Sequence, residues 1–323
     1  KRSSNRFKRL SLRQIVQYDA ELFTDFFPII LTTPDVASNL FKGMNGFFDI
    51  VMFDEASQLR LEDNLPAILK GKQIIIAGDE HQMPPSNYFS KVFDGSVEDE
   101  DEIEDEEENK VRIDKDDILL SCESLLDFGA ELNFQKKHLD FHYRSRHPYL
   151  IDFSNYAFYN QRLKPLPNNF DYVPIKYVQV NGTFSEHTND SEAEMVLSII
   201  DKNINRLPNG EYPTVGIATF NIAQRNLIKS KILERQKFSK FAEFNSKIQE
   251  LEENGMFIKN LENIQGDERD VIILSTTYGV GKDRRFSQRF GPINHSKGYK
   301  LLNVIITRAK FKVYCCTSIP EQV

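Results

Sequence analysis

Two carboxylates stand side by side in this chain, Asp54 and Glu55, directly after the apolar run FFDIVMF that ends at Phe53. An acidic pair at the mouth of a buried strand suits phosphoryl transfer: one carboxylate holds Mg²⁺ through its water shell while the next orients the attacking water. Taken alone, such a pair is explained as well by two solvated side chains. The next apolar run, QIIIA, ends in GDEHQMPP, residues 78–85. Gly78 permits a tight turn, and Pro84 with Pro85 stiffens the exit, so a rigid loop presents Asp79 and Gln82. An amide both donates to a phosphate oxygen and accepts from water, so Gln82 could sense a γ-phosphate; an ordinary turn is the competing explanation. The histidines at 81, 138, 142, 147, 187 and 295 lack metal-ligand spacing.

These residues must be positioned by strands. Three runs rich in branched and aromatic residues, FFPIILTT (26–33), FFDIVMF (47–53) and QIIIA (73–77), read as buried strands. The stretches between them are long enough for crossover helices, which predicts a parallel α/β sheet with its chemistry beyond the strands' carboxyl ends. A second set follows: IKYVQV (175–180), TVGIAT (214–219), DVIILSTT (270–277) and FKVYCCTS (311–318), with helical patterns at 191–204 and 222–236. The expectation is two α/β domains, 1–134 and 135–323, with a helix beginning near Cys122 before the boundary. The polar helical stretch 238–254 reads as a surface excursion. No internal sequence repeat is found.

Composition sets limits. The 323 residues suffice for two cores. No apolar stretch approaches the roughly 18 residues needed to span a bilayer. Three cysteines, Cys122, Cys315 and Cys316, form neither a disulfide framework nor a zinc motif, so a reducing, cytoplasmic setting is expected. Lys1 opens the chain without a signal-peptide pattern, which reads as an internal start with a segment upstream. The net charge of −7 is concentrated: residues 98–117 carry thirteen acids and a local charge of −10, leaving +3 on the rest. This run, within a segment of about residues 94–117, reads as a solvated insertion, the sharper alternative being an internal nucleic-acid mimic. Basic residues cluster at 1–13 and again at 282–312, where Asp283 is the only acid; such stripes can follow a phosphate backbone.

In order, FDIVMFDEASQ, AGDEHQMPP, LDFHYRSRHP, NIQGDERDVIILS and LLNVIITRAK resemble motifs II to VI of superfamily 1 helicases. The likeness is greatest to the 5′-to-3′ branch that includes the nonsense-mediated-decay helicase, and within it to large bacterial helicase-like proteins. The resemblance implies two RecA-like domains, ATP between them and a single nucleic-acid strand across their top. Carried over by position, Asp54 would bind Mg²⁺, Glu55 would be the general base and Gln82 the γ-phosphate sensor, with Asp79 beside it. Arg144 and Arg308 match the two arginine fingers, a role that suits a planar, permanently charged guanidinium. Gln265, Gly266 and Glu268 match motif V, which links nucleotide to strand. Thr33 and Thr219, with Ser275 and Thr276 behind them, fall where the family holds strand phosphates, contacts that position a strand without reading its sequence. Arg146 reads as an ion-pair partner, the alternative being a spare phosphate contact. The family's bacterial members make single-stranded DNA the expected partner ahead of RNA.

The sequence also departs from the pattern. No G-x-x-x-x-G-K-[ST] occurs; Gly71-Lys72-Gln73 and Gly281-Lys282-Asp283 lack spacing and hydroxyl. The expectation is therefore a motor truncated at its first domain, whose phosphate loop lies upstream of Lys1, and a chain that by itself does not hydrolyse ATP. Leu301 and Ile305 stand where relatives more often have Arg and Ala. Two rival readings remain: a non-catalytic nucleic-acid-binding scaffold, which the retained Asp54, Glu55, Gln82, Arg144 and Arg308 oppose, and the motor part of a nuclease-helicase.

Overall fold

A computed structural model describes residues 10–85, 122–168, 171–295 and 297–321. The expected acidic insertion lies outside the described residues. The chain is mixed α/β with parallel sheets, and it divides into two compact units: 1–80 with 84–136, and 81–83 with 137–323.

The first unit runs α1 (Leu12–Tyr18), α2 (Ala20–Phe26), α3 (Pro34–Leu40), β1 (Phe48–Phe53), α4 (Leu61–Ile68), β2 (Gly71–Ile76) and α5 (Leu125–Glu131). Local chemistry starts the helices. Asp19 accepts the Leu22 N–H at the head of α2, Thr33 accepts that of Val36 ahead of Pro34 in α3, and Ser124 with Asp127 forms a reciprocal capping box on α5. Strands β1 and β2 pair in parallel, from Phe48 opposite Gly71 to Phe53 opposite Ile76. Phe53, Ala56, Leu61, Ala67 and Leu125 bury their side chains at one core; Val16, Leu40 and Phe41 form a second.

The segment 27–33 is not the strand its composition suggests. Phe26 closes α2, Thr33 caps α3, and the residues between carry no ladder. Ile29 and Leu31 are 81% and 94% exposed while Ile30 packs in part against the Val16, Leu40 and Phe41 core, so most of the apolar run gains no burial.

The second unit continues with β3 (Phe141–His142), α6 (Tyr149–Ala157), β4 (Lys164–Pro165), β5 (Ile175–Gln179), β6 (Thr183–Phe184), α7 (Asp190–Asn203), β7 (Val215–Thr219), α8 (Ile222–Gln236), α9 (Ala242–Glu253), β8 (Phe257–Asn260), β9 (Arg269–Gly281), α10 (Gly298–Ile306) and β10 (Ala309–Ser318). Its main sheet has the parallel order β5-β10-β9-β7-β8, with β6 against the far end of β9. β7 is buried throughout, as a near-continuous apolar strand covered on both faces should be. The polar helix α9 is no surface excursion: Phe244, Ile248 and Leu251, spaced i, i+4, i+7, enter the same core as Ile200, Ile217 and Ile228.

Candidate functional site

In the first unit the apolar face of β1 ends at Phe53, and the chain turns at once. The Ala77 N–H donates to the Phe53 carbonyl and the Ala56 N–H to the Ala77 carbonyl, 2.8 and 2.9 Å, which fixes loop 77–79 against the 54–57 turn. Gly78 eases this close approach, since a Cβ would stand a tight 3.1 Å from the Ser57 nitrogen and 3.2 Å from that of Ala56. The exposed Asp54 carboxylate accepts the Glu55 N–H at 2.9 Å, and Gln58 Nε2 donates to Glu55 Oε2 at 3.3 Å. Glu55 itself has φ 53°, a left-handed backbone uncommon outside glycine and frequent at functional sites. Asp54, Glu55 and half-buried Asp79 thus meet at the carboxyl ends of β1 and β2. Gln82 lies in the segment 81–83, which belongs to the second unit, where Asn303 Nδ2 donates to the His81 carbonyl at 2.8 Å. The His81 ring lies 5.2 Å from that of Tyr159.

In the second unit Arg144 Nε donates to Glu268 Oε2 at 2.8 Å, while Lys310 Nζ meets Glu268 Oε1 at 2.8 Å. One carboxylate therefore holds two cations from different elements. Lys310 first, then Arg144, draws the Glu268 carboxyl below its usual range. Glu268 follows the turn of Gln265 and Gly266, which Gly266 makes with φ 83°. His142 completes this cluster. Its Nε2 accepts the Ser145 N–H at 3.2 Å, so the ring is the neutral Nδ1–H tautomer. Burial first, then the charges of Arg144 and Arg308, pushes its pKa down to about 4. Arg308 is 2% exposed; Nε donates to the Val304 carbonyl at 2.8 Å and Nη2 to Thr307 Oγ1 at 3.3 Å. Leu301 and Ile305 are core residues of α10. Arg146 is exposed and, among the described residues, has no carboxylate in ion-pair range, contrary to the expected pairing; its N–H donates to the Lys310 carbonyl.

Of the four hydroxyls expected on a strand path, only Thr33 is exposed, and it caps α3. Thr219 is fully buried and donates to the Asn221 carbonyl at 2.7 Å. Ser275 and Thr276 are buried and turn toward Glu192. Lys310, His142 and Glu192 were missed by sequence reasoning. Lys310 stands two residues from Arg308 in the ITRAK segment, a signal that could have found it; for Glu192, the third residue of an ordinary helix start, there was none.

Both units are α/β with parallel strands and polar side chains at the strand ends, and the second pairs Arg144 with Glu268. Residues 122–319 match the AAA domain family, and the chain belongs to it, in the form typical of superfamily 1 helicases related to the nonsense-mediated-decay helicase. Among its relatives is an uncharacterised ATP-dependent helicase of Mycoplasma genitalium, 32% identical over 91% of this chain and 25% of that protein. Another, from Methanocaldococcus jannaschii, is 24% identical over 91% of this chain and 39% of its own length. The mouse probable helicase senataxin is 25% identical over 85% of this chain and 10% of its own. The chain thus spans about a quarter of the length of its Mycoplasma relative. The solved PRRSV helicase is 14% identical, covering 83% of this chain and 34% of its own with a TM-score of 0.37, a likeness too slight to add to the argument.

Proposed function

We propose that the chain is part of the motor of an ATP-dependent helicase that moves 5′ to 3′ along single-stranded nucleic acid, with DNA as its first candidate, in the cytoplasm. The observation that carries this reading is the Asp54–Glu55 pair at the end of a parallel strand, with Glu55 held in a left-handed backbone. Strain of about 1–3 kcal/mol at such a residue persists where surrounding structure fixes it, here the bonds to Asp54 and Gln58.

ATP with Mg²⁺ would supply the phosphoanhydride that water cleaves. The donor set fits the ion: Mg²⁺ is bound through one or two carboxylates plus waters and substrate phosphates, and exposed Asp54 offers a hard oxygen donor. Glu55 takes the proton of the attacking water. Glu268 and Lys310 hold Arg144 in a fixed orientation, from which its remaining guanidinium N–H groups can meet phosphate oxygens. Arg308 reaches a phosphate only by exchanging its bonds to Val304 and Thr307. Asp79, Gln82, Gln265 and Gly266 act at the nucleotide's edge, and Thr33, Thr219, Ser275 and Thr276 lie along or beneath the strand path. The phosphate loop is proposed to lie outside these 323 residues. Hydrolysis is to be measured on the full-length protein, with and without single-stranded DNA or RNA. Glu55→Gln is expected to lower turnover by about 10² to 10⁴, and the 323-residue chain alone to show no robust turnover. Full hydrolysis by the Glu55→Gln protein would overturn the mechanism and favour a site elsewhere.

A further inference from the structure

A buried carboxylate outside the proposed chemistry governs the path of β9. Glu192, in the first turn of α7, has no exposed surface. Its Oε2 accepts the Ser275 hydroxyl and the Thr277 N–H, both at 2.7 Å, and its Oε1 accepts the Thr276 hydroxyl at 3.4 Å. These donors sit at a break in the ladder. Cys316 of β10 pairs with Ser275 of β9, but Ser318 pairs with Gly279, so residues 276–278 face Thr317 alone. Thr277, inside this bulge, has φ 73°, an outlier for a β-branched residue. The carboxylate therefore accepts the Thr277 N–H that the interrupted ladder would leave without an acceptor, and the Ser275 hydroxyl beside it.

Beyond the bulge β9 is re-aimed. It pairs with β6, Val280 opposite Thr183 and Gly281 opposite Phe184, and then turns. The turn is built: Gly281 N–H to Arg285 O at 2.8 Å, Arg284 N–H to Gly281 O at 2.9 Å, and Arg285 N–H to Asp283 Oδ1 at 3.1 Å. A chain of rings, Phe184–Tyr278–Phe290–Phe286, with centroids 5.2 to 6.1 Å apart, fastens the following loop to the β9 extension. What this scaffold presents is charge. Lys282, Arg284, Arg285 and Arg289 are exposed, Asp283 is the one acid among them, and its carboxylate is engaged by backbone. Among the described residues neither Arg284 nor Arg285 has a carboxylate in ion-pair range. Lys282 reaches Glu186 only at 4.0 Å, with both side chains largely solvated.

Several cations held in register on a preformed loop suit successive phosphates of a flexible polyanion. We propose that loop 282–289 grips the phosphate backbone of single-stranded nucleic acid, and that Glu192 is its positioning residue, acting through the Thr277 bulge. This rests on the motor reading above, whose strand contacts were expected at Thr33, Thr219, Ser275 and Thr276. Ser275 and Thr276 then act at one remove, as ligands of Glu192.

The test is fluorescence anisotropy of this chain with a labelled oligothymidylate of about twenty nucleotides, across roughly 50 to 200 mM KCl. Arg284→Ala/Arg285→Ala should reduce the slope of log K against log salt by about 1.4, near 0.7 per single-strand phosphate contact. Glu192→Ala should lower affinity and slope in the same direction, and the triple variant should bind no more weakly than the worse of the two, since both act on one element. A variant that only loosened the fold would add its effect to that of the arginine changes. If circular dichroism shows Glu192→Ala unfolded, Glu192→Gln is read by the same slope. Binding with an unchanged slope in Arg284→Ala/Arg285→Ala overturns the loop, and additivity of folded Glu192 variants overturns the positioning role. No binding by the unaltered chain at any of these salt concentrations overturns the motor reading itself.

Discussion

At the scale of single residues, His142 makes the sharpest prediction. Its pKa stands near 4 in the fold against about 6.5 in an unfolded chain, so between these values the unfolded state binds the extra proton. Stability should therefore rise with pH across that window and fall on acidification from about 6.5 toward 4. Urea unfolding at a series of pH values checks this, and His142→Asn should flatten the dependence. Glu268 adds a loss of the same sign lower down, because its carboxyl is drawn below the usual range and its ion pairs disappear on protonation. Thr277 offers a second test. Its φ of 73° and its buried Oγ1, which lacks a hydrogen-bond partner, both disfavour the native state. Relief of about 1–3 kcal/mol of backbone strain outweighs the roughly 0.5–1 kcal/mol entropic cost of glycine. Thr277→Gly is expected to raise stability by about 1 kcal/mol, measured as a shift in the urea midpoint.

At the scale of elements, α9 separates a core helix from a decorative one. Ile248 is fully buried, and Lys247 Nζ donates to the Ile200 and Ile204 carbonyls at 3.3 and 3.1 Å, capping the end of α7. Ile248→Ala is expected to cost about 2–5 kcal/mol on urea unfolding, where a surface helix would lose under about 0.5. Its role was hidden because only three apolar residues at helical spacing carry the contact, amid many charges. The opposite holds at 27–33, where composition favours a strand but, among the described residues, no neighbouring strand pairs with it. The strands β1, β2, β5, β7 and β10 were legible within a residue or two, because buried parallel strands read as unbroken branched runs, whereas β9 runs four residues past the expected end at 277 and the short β3, β4, β6 and β8 were not foreseen. The helix 222–236 was legible to its ends from its apolar spacing, and the structure adds the Asn221 side chain as its cap, accepting the Gln224 N–H.

At the scale of the whole molecule, charge is the variable. The net −7 conceals a run of −10 at residues 98–117 and a mildly basic remainder. Deleting residues 94–117 should strengthen single-strand binding by less than about tenfold at low salt and leave it nearly unchanged near 1 M, where the Debye length is only about 3 Å. Anisotropy titrations at the two salt concentrations check this. A large gain that survives high salt would instead mark the run as an occupant of the strand site.

The sequence by itself determined the chemistry that can be reached and its order along the chain: Asp54 and Glu55 behind an apolar run, Gly78 where a tight turn is permitted, and arginines in HYRS and ITRAK segments. These are local facts, written in residue type and spacing. Only the tertiary structure decided which groups those residues meet. It pairs Arg144 with a Glu268 carboxylate that also holds Lys310, sinks Arg308 and Thr219 below the surface, and sends Ser275 to a carboxylate 83 residues away. Parallel sheets bring together segments separated by whole crossovers, so partnership at their strand ends depends on register and bulges, which no local pattern records.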